Sequence, residues 1–196
     1  MSIIKGQNKI LGRYAPSMVH PFIPGSPAAA SNAYFLADTN MKVGAYTLLK
    51  TTMPGDIARN VVVTHTAVDT ADTLGTITIE GTDFNGNVIS EVITPVSGTA
   101  VQGTKAFASV TKATGTGWVI DTVEGSADKV KIGYGNKLGL PVCLSRNTVL
   151  RAYLGGALQG TAPTVAFDAA DLAKNTVLLS TALNGDEVII EYTETQ

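Results

Sequence analysis

The stretch that most constrains this chain is Thr76-Ile-Thr-Ile-Glu80, followed by Asn85-Gly86 and then Val88-Ile-Ser-Glu-Val-Ile-Thr94. On an extended backbone Ile77 and Ile79 share one face, and Thr76, Thr78 and Glu80 the other. Asn-Gly between two such runs predicts a β-hairpin, because both residues tolerate the positive φ of a tight turn. The returning strand ends at Pro95. Its alternation is imperfect, since Glu91 shares a face with Ile89 and Ile93, which predicts an edge strand or a bulge. Glu80 and Glu91 are both expected to face solvent.

Composition extends this local reading to the whole chain. Of 196 residues only 15% are charged, while 25 are threonine and 20 glycine. β-Branched threonine favours strands, and glycine marks turns. Further strands are expected at Val61–Thr66, Phe107–Thr111, Trp118–Val123, Lys129–Gly133, Val149–Leu154, Thr176–Ser180 and Glu187–Tyr192. Turn signals separate them at Thr114–Gly117, Glu124–Ser126, Gly155-Gly156 and Asn184-Gly185. Many short strands at near-regular spacing predict an all-β, antiparallel sandwich or barrel. One short helical turn is expected at Asp168–Lys174, capped by Asp168.

The N-terminal region differs. Residues 1–33 carry Lys5, Lys9 and Arg13 with no acid, and Pro16, Pro21, Pro24 and Pro27, half of the 8 prolines. Proline is excluded from helix and sheet interiors, so Ser17–Ser31 is expected to be extended and irregular. The segment nevertheless holds large apolar residues that a solvated linker does not need. The segment is either a frayed terminus or an arm that docks on its own core or on a neighbouring subunit, and we expect an extended arm and lead-in over residues 1–50 and a sandwich core over 51–196. Tyr14, Met18, Val19, Phe22, Ile23, Tyr34 and Phe35 are the candidate partner-binding residues of that arm.

Signals for chemistry are weak. A formal charge of −2 and a pI of about 5.6 argue against general nucleic-acid binding. No apolar run is long enough to span a membrane, and the start lacks the apolar core of a signal peptide. One cysteine, Cys143, allows neither a disulfide framework nor a Cys-based zinc site, and its apolar neighbours predict a buried, inert thiol. His65 with Asp69 or Asp72 is conceivable as part of a triad, but no Gly-x-Ser-x-Gly elbow accompanies it. Asp69, Asp72, Glu80, Asp83 and Glu91 cluster in sequence, and near a hairpin such residues serve turns and solvated faces. Asp83–Asn87 does not keep calcium-loop spacing. Gly133–Gly139 is one residue too long for a nucleotide-binding glycine loop and runs into Leu140-Pro141 where a helix should start. The expectation is a protein with no catalytic residues, no metal and no cofactor.

The run from Leu74 to Pro95, with its Gly81-Thr-Asp83 and Ser90-Glu-Val-Ile-Thr94, resembles a hairpin common in small virion proteins of tailed bacteriophages. The Gly103-Thr-Lys-Ala-Phe107 segment and Lys131–Pro141 are similar to segments that follow in such proteins, with Asn136 where Asp is common. The resemblance spans residues 60–145 and is nearest to head decoration, or cement, proteins. It implies a jelly-roll-like or related β-sandwich that binds the major capsid protein on the exterior of the virion and bridges capsomers. It further implies synthesis in the host cytoplasm, no nucleic-acid or membrane partner, and a homo-oligomer, a trimer ahead of a dimer. A tail, collar or fibre component, or a carbohydrate-binding module using Trp118, Tyr134 and Tyr153, are the alternatives. A wall hydrolase working through Glu80 or Glu91 is a third.

Overall fold

The computed structural model describes residues 7–10, 13–16, 18–66, 72–120 and 128–193, the first two stretches as backbone. The expected turn at 124–126, the last part of the expected strand at 118–123, Asp69 and the side chain of Tyr14 lie outside the described residues. The first strands are β1 (Gln7–Ile10), β2 (Arg13–Pro16), β3 (Val19–Gly25), β4 (Ser31–Asn40) and β5 (Gly44–Ala45). Then come β6 (Arg59–Thr66), β7 (Thr76–Thr82), β8 (Val88–Ile93), β9 (Ala100–Phe107), β10 (Ser109–Thr116) and β11 (Lys129–Gly139). The last are β12 (Val149–Leu154), β13 (Ala157–Leu158), β14 (Thr164–Ala166), β15 (Thr176–Leu178) and β16 (Val188–Thr193). Two 3₁₀ turns, Pro54–Asp56 and Leu172–Lys174, are the helical elements among the described residues.

The fold is all-β and antiparallel, as expected. Its strands form a first sheet β5-β10-β7-β8, a central sheet β14-β15-β11-β6-β9 with β4 also on β11, and an end sheet β13-β12-β16-β3. β1 and β2 pair with each other in a separate two-stranded sheet. Two apolar cores result. Ile77, Ile79 and Val110 of the first sheet pack on Val61, Val63, Val130 and Ile132 of the central one. Leu138 and Val177 of the central sheet pack with Leu154, Val188 and Ile190 of the end sheet. β11 therefore serves one core with its first half and the other with its second. Its pairing with β6 shifts between Tyr134 and Leu138, where the hand-over occurs.

Between the cores lies Arg59, with 0% of its surface exposed. Its guanidinium donates to the carbonyls of Gly135 at 2.8 Å and Ala28 at 2.7 Å, and its carbon lies 4.4 Å from the Tyr134 ring centre. Burial pulls its pKa down to about 10, with the Tyr134 hydroxyl opposing. The glycine-rich run 133–139 is thus strand rather than phosphate loop. A Cβ at Gly133 would collide with the carbonyl oxygen of Ser31 on β4, so only glycine lets the two strands approach.

The hairpin forms, but not with a two-residue turn. Thr82 pairs with Val88, leaving residues 83–87 as the loop. The Asp83 carboxylate accepts from the amides of Asn85 and Asn87, both at 2.9 Å, and Gly86 takes φ +82°. That side-chain-stabilised turn displaces the tighter Asn-Gly geometry. The strand expected across Phe107–Thr111 is broken at Ala108, where β9 gives way to β10. The kink lets Phe107 and Val110, of opposite parity, enter the same core. The short turn at 172–174 is capped by Asp171, whose carboxylate accepts from the Ala173 amide at 3.2 Å. Asp168 instead receives the amides of Ala170 and Asp171 upstream.

The expected irregularity of 17–31 is corrected by β3, which pairs with β16 from Val19↔Thr193 to Gly25↔Val188. Pro21 is tolerated because β3 is the edge of its sheet, and Pro24, of opposite parity, falls in the register shift between Phe22 and Gly25. With β4 on β11 and β5 on β10, residues 19–45 contribute strands to all three large sheets, so chain position 50 does not separate an arm from the sandwich.

Candidate interaction surface

Edge strand β3 sorts the arm residues by alternation. Val19, Pro21 and Ile23 turn outward, while His20, Phe22 and Pro24 turn inward. Phe22 packs on the second core and edge-on against Phe84 of the β7–β8 turn, ring centres 6.1 Å apart. Ile23 and Phe84 then line a groove of about 190 Å³ with Asp56 and Ile57. Val19 and Ile23 are exposed on this edge, and Met18, just before the strand, is 70% exposed.

The other members of the set are placed differently. Tyr34 is half-buried, edge-on to both Phe35 and Tyr134, with the Lys50 ammonium 4.3 Å above its ring. Phe35 is 0% exposed in the first core, so its role is packing and it cannot anchor a partner. Phe35 and Leu36 are adjacent on β4 and both buried, so alternation alone does not tell which of them faces a partner. Sequence reasoning missed Phe84, Val88 and Val92, which are exposed on the β7–β8 hairpin. The signal was available in Val88 and Val92, which occupy the positions of β8 opposite Thr82 and Thr78.

Among the described residues, those considered for chemistry do not converge. His65 Nε2 lies 3.4 Å from Asp128, not from Asp72, and both side chains are sealed from solvent. Glu80 faces outward and pairs with Lys112 at 2.9 Å across β7 and β10. Glu91 is corrected from the expected solvent face. In the ladder it opposes Ile79, whereas Ser90 opposes Glu80, so the two glutamates lie on opposite faces of the sheet and cannot flank one glycosidic bond. Trp118 and Tyr134 pack at the first core, while Tyr153 lies on the end sheet, so the three form no common platform. Among the described residues no group of three or more His, Cys, Asp and Glu is placed to hold a metal ion.

Cys143 is exposed rather than buried. It lines a cleft of about 420 Å³ with Asp83, Asn85, Asn87, Pro141 and Asp171. Partial desolvation first, then the carboxylates of Asp168, Asp171 and Asp83, hold its thiol above the ordinary range. Such a thiol is a weak nucleophile. No helix among the described residues is long and apolar enough to cross a membrane.

Compared with models of protein families, with curated proteins and with solved structures, the chain matches none.

Proposed function

We propose that this chain is a structural protein of a tailed-bacteriophage virion that decorates the head, binding the major capsid protein and bridging capsomers of the mature shell. The observation that carries the reading is an N-terminal sheet outside the body's sheets, leading directly into exposed apolar residues. Among the described residues β1 and β2 pair only with each other. A two-stranded sheet is marginal in water and gains stability by lying on a further surface. Lys5, Lys9 and Arg13 make this segment basic, and the first acid in the chain is Asp38. Met18, Val19 and Ile23 continue the contact surface into β3. The resemblance of residues 60–145 to decoration proteins supplies the shell as partner. Contacts of this modest kind, repeated by symmetry, add up to high avidity.

The test is co-sedimentation with capsids that lack the protein, comparing the intact chain with one lacking residues 2–16. Removing residues 2–30 would not serve. It would take away β3, Phe22 and the Ala28 carbonyl that receives Arg59, and so damage the body itself. Saturable binding to expanded shells and not to compact precursors is expected, with loss on truncation. No binding by the intact chain overturns the decoration role, and assembly into rings or tubes would move the protein to the tail. Undiminished binding by the truncated chain overturns the part assigned to the N-terminal segment.

A further inference from the structure

Most sheet edges among the described residues are blunted. β3 carries Pro21 and Pro24, and β5, β13 and β14 are two or three residues long. β4 shifts register twice along β11 and receives the Leu49 amide on its Phe35 carbonyl at 2.8 Å. β9 has its Thr104 and Lys105 amides taken by Glu91. β8 has none of these devices. It is the outer strand of the first sheet over six residues, without proline or bulge.

The hydrogen-bond phase of the hairpin tells which groups of β8 are open. The Asp83 amide donates to the Asn87 carbonyl at 2.9 Å. By the alternation of an antiparallel ladder, Ile89, Glu91 and Ile93 bond inward to β7. The amides and carbonyls of Val88, Ser90 and Val92 therefore point away from the sheet. The side chains of these residues lie on the outer face, with Val88 86% and Val92 62% exposed. The strand's single charge, Glu91, is turned to the other face and occupied by β9.

We propose that β8 pairs with β8 of a second copy of this chain, antiparallel about a two-fold axis through Ser90. The strand is self-complementary in that register. Val88 meets the partner's Val92, Ser90 meets its own equivalent, and the reciprocal pair repeats. The exposed Phe84 and Val96, which flank the strand, are also symmetric about Ser90 in sequence. No charge opposes itself across the axis, and the two first sheets join into one. Threonines 78 and 82, next to Val92 and Val88 on β7, carry no charge that would disturb the contact. The pairing is a property of the free protein, so it is measured without a shell and stands or falls separately from capsid binding.

The experiment is analytical ultracentrifugation of the full chain and of two double variants, Val88→Lys with Val92→Lys and Val88→Glu with Val92→Glu. Each variant sets two like-charged pairs across the axis. Circular dichroism and thermal melting check that each stays folded, as expected for exposed positions. The expected result is reversible self-association of the wild type, weakened at least about tenfold in each variant. An equimolar mixture of the two variants should associate again through Lys–Glu pairs. A monomeric wild type, association unaffected in the variants, or failure of the mixture to recover overturns the proposal. The chain lacking residues 2–16 is run alongside, and association lost there but kept in both double variants also overturns the proposal and assigns the contact to the N-terminal segment.

Discussion

The Glu91 carboxylate on β8 accepts hydrogen bonds from the Thr104 backbone amide at 2.6 Å and from the Thr104 hydroxyl at 2.7 Å. Its second oxygen accepts from the Lys105 amide at 3.3 Å. The contact ties the β7–β8 hairpin to β9 of the central sheet. It also gives a physical reason for two separate stretches to occur together, Ser90–Thr94 and Gly103–Lys105. Replacing Glu91 by Ala removes a charged acceptor from donors that water can partly satisfy and is expected to cost about 1 kcal/mol, a fall of roughly 2–4 °C in melting temperature for a chain of this size. Gln, which keeps one acceptor oxygen, should lose about half as much. Unchanged melting of both variants would remove the contact from the stability account.

Asn175 organises the loop that precedes β15. Its side-chain oxygen accepts from the amides of Leu144 at 2.8 Å and Asp168 at 3.1 Å, and its nitrogen donates to the carbonyls of Asp168 at 2.8 Å and Asp171 at 2.9 Å. The residue is fully buried. Asn175→Ala should destabilise by about 3 kcal/mol, because buried backbone groups lose partners that water cannot replace. Denaturant unfolding followed by tryptophan fluorescence reads this directly.

Within the same loop the Ala170 and Asp171 amides, and then Lys174, hold the Asp168 carboxyl below its ordinary value of 3.8. A lowered pKa in the folded chain means that its contribution is present above that value and is lost as pH falls through the lower one. Asp168→Asn should flatten the acid limb of the stability curve, read from melting temperatures at successive pH values. An acid limb identical to that of the wild type would dismiss this assignment.

Arg59 supports the waist between the cores through geometry as much as charge. Lysine cannot reach the Ala28 and Gly135 carbonyls together or stack flat on Tyr134. Arg59→Lys is expected to cost about 2 kcal/mol, and the loss should appear in equilibrium unfolding with the fold otherwise unchanged by circular dichroism. Equal stability of the two proteins would mean that the charge alone suffices.

The thiol of Cys143 is reachable but electrostatically discouraged. Its raised pKa leaves less thiolate at neutral pH than a free cysteine has, so maleimide labelling should be slower than for a model thiol. The rate should rise with pH over a window displaced upward, and salt should speed it by screening the three carboxylates. Labelling as fast as the model thiol at pH 7 would contradict this.

Strands were legible wherever the alternation of period two was uninterrupted, as in β7, or the apolar run was compact, as in β12. Both signals are local, because side-chain direction in a strand follows from the backbone alone. β3 was not legible, because its prolines are acceptable only at an edge or a register shift, and both depend on β16, far away in the chain. Phe35 read as an anchor for the same reason: exposure depends on what covers a residue. The Asn-Gly signal located the hairpin correctly, yet Asp83 chose the turn, through hydrogen bonds whose strength composition does not reveal.

By itself, then, the sequence determined the all-β class, the hairpin and the neutral character of the chain. These follow from periodicity, turn chemistry and charge, each of which operates over a few residues. Only the tertiary structure decided that β11 serves two cores, that Arg59 lies buried between them, that Glu91 turns inward to β9, and that β8 keeps an open edge. Each of these depends on groups far apart in the chain meeting in space, where burial and hydrogen-bond satisfaction, rather than local preference, set the free energy.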